Sequence, residues 1–319
     1  MNFNLLFENL TNPALLFFFL GILARIFKSD LEIPENTSKF ISLYLLFSIG
    51  FKGGQELSHG NISLEIITSM VFGLFISIII PLYTFFILKR KLSIYDSGAI
   101  AAAYGSVSAV TFVTASNYLE SLKLELHGHM VAVMALMESP AIIMGLILIN
   151  LHNKEIKIKK SSIINHSFTN GSVFLIIGSL IIGYIASTKQ AEGIKPFTTD
   201  IYKGFLAIFL LDMGLVSGSK LKSFFQFGWF PVIFSVVIPL LNGFIFAFLS
   251  QFITHDISNR FIFAVLASSA SYIAVPAAMK INVPKANPSL YLPMALAITF
   301  PVNITIGMPL YLYVIQNFS

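Results

Sequence analysis

LASSASYIAVPAAMKINVPKANPS, Leu266 to Ser289, lies between long apolar runs, yet it holds four serines, three prolines, two lysines and two asparagines. Its setting decides what it means. Of the 319 residues, 56% are hydrophobic and only 11% are charged, and the mean hydropathy is +0.82. A soluble domain carries about 25% charged residues to cover its surface. This chain has too few for that, so its outer surface faces lipid. The net charge of +5 comes from basic residues in short loops between apolar runs, which is no nucleic-acid signature. The sequence holds no cysteine, which removes disulfides, thiol chemistry and Cys-based metal sites.

A membrane-crossing helix needs about 20 apolar residues. Ten candidate spans are expected, near 13–27, 38–56, 62–88, 97–116, 129–151, 171–187, 201–219, 228–253, 259–279 and 290–315. The first is read as a span and not as a removable leader, because an acidic segment with Glu8 precedes it. With ten spans both termini share one side. The loops there hold six of the twenty Lys and Arg residues, and the opposite loops hold fourteen. The basic side is expected to be cytoplasmic, with KEIKIKK (154–160) in its central loop and both termini outside.

The chain repeats its own plan. GILARIFKSDLEIP from Gly21 matches GYIASTKQAEGIKP from Gly183, and Gly50 and Gly54 match Gly214 and Gly218. YGSVSAV (104–110) matches SSASYIA (268–274), so that Ser106 and Ser108 fall on Ser269 and Ser271. Pro81 answers Pro239, and Pro140 answers Pro301. The organisation expected is a first five-span repeat at 1–151, a cytoplasmic linker at 152–169 and a second repeat at 170–319. Five is odd, so the second copy enters the membrane inverted. The fold class expected is an all-α polytopic membrane protein with ten transmembrane helices in two inverted five-helix repeats.

Inverted repeats are typical of secondary transporters, whose sites lie between the repeats on discontinuous helices. Hydroxyls at alternating positions would fall on different faces of a regular helix. Ser106/Ser108 and Ser269/Ser271 therefore predict extended backbone and broken fourth and ninth helices. Such backbone is tolerated at membrane depth only where it lines a cavity or is buried in protein. Close packing through small residues is the competing explanation of the same serines.

On these motifs the chain resembles the SbtA-type sodium-dependent bicarbonate permeases of cyanobacteria. VPKANPSLY (283–291) is similar to the end of that family's Ser-rich ninth-span region, and SIGFKGGQEL (48–57), YGSVSAVT (104–111), MESPA (137–141) and IYKGFLAIFLLDMGL (201–215) are similar to its second, fourth, fifth and seventh spans. The resemblance covers the whole chain. It implies a symporter carrying bicarbonate into the cell with sodium as the transported coupling ion, in the cell inner (plasma) membrane, assembled as a homotrimer and open to control by a PII-like cytoplasmic protein. It places substrate at Gly105, Ser106, Ser108, Thr111, Ser268, Ser269 and Ser271. Charges have moved relative to the family. Tyr272 stands where an Asp is usual, Val216 where a Glu is usual, and Glu138 replaces an Asp. The alternative is a sister permease that is coupled to protons or carries another small anion or carboxylate.

Asp212 and Glu138 are acids placed well inside expected spans, away from their ends, and an ionisable group at that depth is a functional candidate. Asp212, Glu138 and Asn303 are the ion-coupling candidates; Asn303 also suits a hydrogen bond across helices. His127 and His129 flank Gly128 at a span start, and two lone histidines there are read as interfacial and not as a metal site. HExxH, G-x-S-x-G and paired intramembrane aspartates are all absent, so the chain is not read as an enzyme.

Overall fold

The computed structural model describes residues 11–58, 63–152 and 171–317. KEIKIKK (154–160), and the expected linker apart from His152, lie outside the described residues. The described chain is helical, with no strand.

In chain order the helices are α1 (Pro13–Ile26), α2 (Glu35–Ser58), α3 (Leu64–Leu88), α4 (Ile94–Gly105), α5 (Ala109–Ser121), α6 (His129–His152) and α7 (Gly171–Ile185). There follow α8 (Thr188–Glu192), α9 (Tyr202–Phe224), α10 (Trp229–Leu249), α11 (Ile257–Ser268), α12 (Ala274–Asn282) and α13 (Pro288–Asn317). Helix α13 passes through two π-helical turns, Met294–Thr299 and Asn303–Gly307. They flank Pro301, whose ring displaces the carbonyl four residues back and whose missing N–H removes one bond of the regular helical ladder.

Six helical stretches among the described residues are long and apolar enough to cross a membrane: Leu64–Leu88, Ile94–Ser121, His129–His152, Pro196–Lys220, Trp229–Phe252 and Pro288–Asn317. Pro13–Ile26, Gly171–Ile185 and Ile257–Ser268 are apolar but shorter. Helix α2 has 24 residues but carries Glu35, Lys39, Lys52 and Glu56. Large apolar side chains are exposed along single helix faces, at Ile67, Val71, Phe75 and Ile78 on α3 and at Ile233, Val237, Leu241 and Ile245 on α10. Rows of this kind suit hydrocarbon and not water.

Glycine sets the closest helix contacts. A Cβ on Gly21 of α1 would sit 2.2 Å from Leu211 O and 2.9 Å from Gly214 Cα of α9. A Cβ on Gly54 of α2 would sit 2.1 Å from Leu180 O and 2.9 Å from Gly183 Cα of α7. Helices α1 and α9 thus run against each other backbone to backbone, as do α2 and α7. The remaining long helices form a second group: α3, α4 and α6 pack mutually, as do α10, α11 and α13.

Candidate functional site

Helix α4 stops at Gly105 and α5 starts at Ala109; α11 stops at Ser268 and α12 starts at Ala274. Ser106 (φ −81°, ψ 164°) and Ser269 (φ −78°, ψ 163°) leave their helices in the same extended conformation. The alternating serines therefore mark real interruptions of the helix, at both places the sequence indicates.

The two interruptions touch. Ser271 N–H donates to Ala103 O across 2.8 Å, and Ser108 N–H donates to Ser269 Oγ across 3.0 Å. Each break thereby satisfies a buried backbone group of the other. Helical C-termini (α4, α11) and N-termini (α5, α12) converge on this crossing. The first pair carries partial negative charge and the second partial positive charge, so the crossing suits a cation beside an anion. The two N-termini differ. Ser108 Oγ caps α5 by accepting from Thr111 N–H at 3.2 Å, whereas α12 has no side-chain cap.

All seven expected substrate positions are buried at or beside this crossing. Their local duties differ. Gly105 lies on the Pro81 ring, where an added Cβ would be 2.1 Å from Pro81 Cγ. Ser106 Oγ donates to Glu138 O at 3.3 Å, Ser268 Oγ to Val265 O at 3.1 Å and Ser269 Oγ to Leu266 O at 2.9 Å. A cavity of about 20 Å³ opens between the breaks, lined among others by Val107, Ser108, Glu138, Ser271 and Tyr272. That is room for one water-sized group. Among the described residues nothing donates to or pairs with the Glu138 carboxylate there.

Asn303 stands behind the crossing. Its Nδ2 donates to Ser268 O at 2.6 Å and its Oδ1 accepts from Tyr311 at 3.1 Å. Asn242 of α10 does the same for the preceding residue: its Nδ2 donates to Ala267 O at 3.2 Å while its Oδ1 accepts from Tyr83. Two buried amides thus hold the carbonyls freed where α11 ends. Sequence reasoning did not single out Asn242; the signal was an amide three residues after Pro239 in an otherwise apolar run. Asp212 is elsewhere. It is buried on α9, accepts a hydrogen bond from Ser38 of α2 and does not line the cavity.

Among the described residues no three His, Cys, Asp or Glu side chains converge as a metal-binding group. His127 instead pairs with Asp256, Nε2 to Oδ2 at 3.4 Å.

A family model described as the Na+-dependent bicarbonate transporter superfamily matches residues 13–316. No curated protein matches the chain.

Proposed function

We propose, from the premise that this chain belongs to the Na+-dependent bicarbonate transporter superfamily, that it carries bicarbonate into the cell in symport with sodium. A transporter family and several apolar helices make it a multi-pass membrane protein and not an enzyme. The observation that carries the symport reading is the reciprocal pair of hydrogen bonds between two broken helices, Ser271 to Ala103 and Ser108 to Ser269, beside a small polar cavity.

In this reading the anion meets the N-terminus of α12, whose Ala274 and Val275 N–H groups have no side-chain cap. Ser108 and Ser271 line the same cavity. The sodium ion takes hard oxygen ligands from the Glu138 carboxylate and from serine oxygens nearby. Asn303 acts from behind, by fixing the end of α11. Asp212, at the contact of α9 with α2, couples from outside the crossing. The cavity accommodates a single water-sized group, so loading both ions requires the breaks to move apart.

The ten-span inverted arrangement, with repeats at 1–151 and 170–319, draws support from the reciprocal glycine contacts. Gly21 and Gly183 begin the two matched segments. The first meets Gly214 and the second meets Gly54, each in the other half of the chain. Both termini lie outside a cell inner membrane in this arrangement. A homotrimer and a PII-like cytoplasmic regulator belong to the same proposal.

Uptake of labelled bicarbonate into proteoliposomes, at fixed internal and external pH, tests it. Accumulation should require an inward sodium gradient. Accumulation driven equally by a proton gradient in sodium-free buffer would favour the sister-permease alternative, for which the unpaired Glu138 carboxylate is a natural proton site.

A further inference from the structure

Where α2 and α5 end and α3, α6 and α11 begin, the helices enclose a basin of about 1060 Å³. Five acids (Glu56, Glu65, Glu120, Glu125 and Asp256) line it against two lysines. That local excess runs opposite to the net charge of the chain, +5. Acid-lined concavities gather cations by focusing the field between low-dielectric walls.

One corner is more than a charged wall. Glu65, in the first turn of α3, accepts at Oε1 from Thr254 Oγ1 and from Asn259 Nδ2. Asn259 is 2% exposed, and with its Nδ2 on Glu65 its Oδ1 is buried with no donor among the described residues. His129 Nε2, also on the basin lining, is likewise buried and unpartnered. Buried acceptors are normally satisfied. Asn259 Oδ1 lacks a donor among the described residues, beside the Glu65 carboxylate and where negative charge is in excess, which selects for a cation.

We propose that this corner binds a hard monovalent cation through Asn259 Oδ1 and Glu65 Oε2, as an entry site separate from the crossing of the broken helices. The charge follows from the ligands. One carboxylate and one amide, without a convergent set of three acidic or imidazole groups among the described residues, are too few for calcium, which takes six to eight oxygens with several carboxylates. Water completes the shell of a singly charged ion in a basin this size. His129 provides a boundary: in its neutral form it leaves the cation unopposed, and in its charged form it competes with it. The groups facing it are His127, Glu65 and Asp256. Sodium is the probe because of the transport reading above; the site itself rests on Glu65 and Asn259.

Binding of ²²Na+ to the purified full-length protein, without bicarbonate and with choline holding ionic strength, provides the test. The background is Glu138→Gln, which disables the crossing. Glu65→Gln keeps the shape and the hydrogen bonds to Thr254 and Asn259, so the fold should survive. Sodium binding should remain in Glu138→Gln and weaken at least tenfold when Glu65→Gln is added. Unchanged affinity in the double variant, or no sodium binding in Glu138→Gln, would overturn the proposal. If the double variant does not fold, Ser116→Cys, on the basin lining of a chain with no cysteine, replaces it. Sodium should slow its alkylation relative to choline, and equal rates would overturn the site. Sodium-independent bicarbonate uptake would sink the symport reading and leave this site standing.

Discussion

At the scale of single residues, the crossing depends on hydroxyls that hold the backbone of the two breaks. Ser269 Oγ is the acceptor for Ser108 N–H, and it is 1% exposed. Ser269→Ala leaves that N–H buried without a partner, at a cost of about 1–3 kcal/mol. Chemical unfolding of the variant in detergent should register that loss together with a fall in uptake; full stability would mean the bond between the breaks contributes little. Ser271→Ala should behave differently. Its link to Ala103 runs through the backbone N–H, so stability should hold while anion affinity falls. The alternating serines could be read in the sequence because no regular helix places residues two apart on one face. The bond between the two breaks could not, since its donor Ser108 and its acceptor Ser269 lie about 160 residues apart in sequence. Asp212 was legible as an acid at membrane depth, but its partner Ser38 belongs to another helix 174 residues away.

At the scale of elements, α11 is held at both ends. Its broken C-terminus rests on Asn242 and Asn303. Asn303→Ala removes the donor to Ser268 O and the acceptor for Tyr311, so unfolding should be easier by about 1–3 kcal/mol, and transport should fall although Asn303 does not line the cavity. Its N-terminus is capped by Asp256, which accepts from Asn259 N–H at 2.8 Å and pairs with His127 of the α5–α6 connector. The Asp256 hydrogen bond and charge hold His127 above its ordinary value. Burial raises Asp256, but the His127 bond and the Asn259 and Ser258 N–H groups outweigh it and leave it below its ordinary value. The His127 contribution is complete below its unfolded pKa, about 6.5, and is lost as pH rises through the raised folded value. The Asp256 contribution is complete above about 3.9 and is lost as pH falls through the depressed folded value. Both groups are more than a third exposed, so screening keeps the pair below about 1 kcal/mol. His127→Ala should therefore flatten the pH dependence of the melting temperature above pH 6.5 by a small amount. An unaltered profile would remove the pair from the stability of the α11 N-terminus. The π-helical turns of α13 escape sequence reading for a related reason. Pro301 announces a disturbance, but whether the chain kinks or takes π-helical turns there is set by its packing on α9, where Ser217 Oγ donates to Leu296 O at 3.0 Å.

At the scale of the whole molecule, composition was enough to place the chain in lipid, and the exposed apolar rows on α3 and α10 agree with it. Glycines at matching places in the two halves were read as a repeat. Which glycine meets which was not, because close approach is a property of the folded pair. Gly54→Ala puts a Cβ 2.1 Å from the Leu180 carbonyl oxygen and must push α2 off α7, whereas Gly178→Ala meets nothing within 4 Å. The first should lose about 1–3 kcal/mol by overpacking; the second should be neutral or slightly stabilising through helix propensity. Similar melting temperatures in the two variants would remove the seam as a closely packed interface. Orientation has its own test. A cysteine introduced within 154–160 should resist impermeant thiol reagents in intact cells, and one introduced near the C-terminal end should react.

Occupation of the crossing can be measured most directly at Ser271. The chain contains no cysteine, so Ser271→Cys supplies a single thiol on the cavity between the broken helices. The rate at which a small thiol reagent modifies it in proteoliposomes should fall when sodium and bicarbonate are present together. It should stay near the unprotected rate with bicarbonate in choline buffer. A variant that still transports bicarbonate yet is modified at one rate under every condition would contradict a site at the crossing of the two breaks.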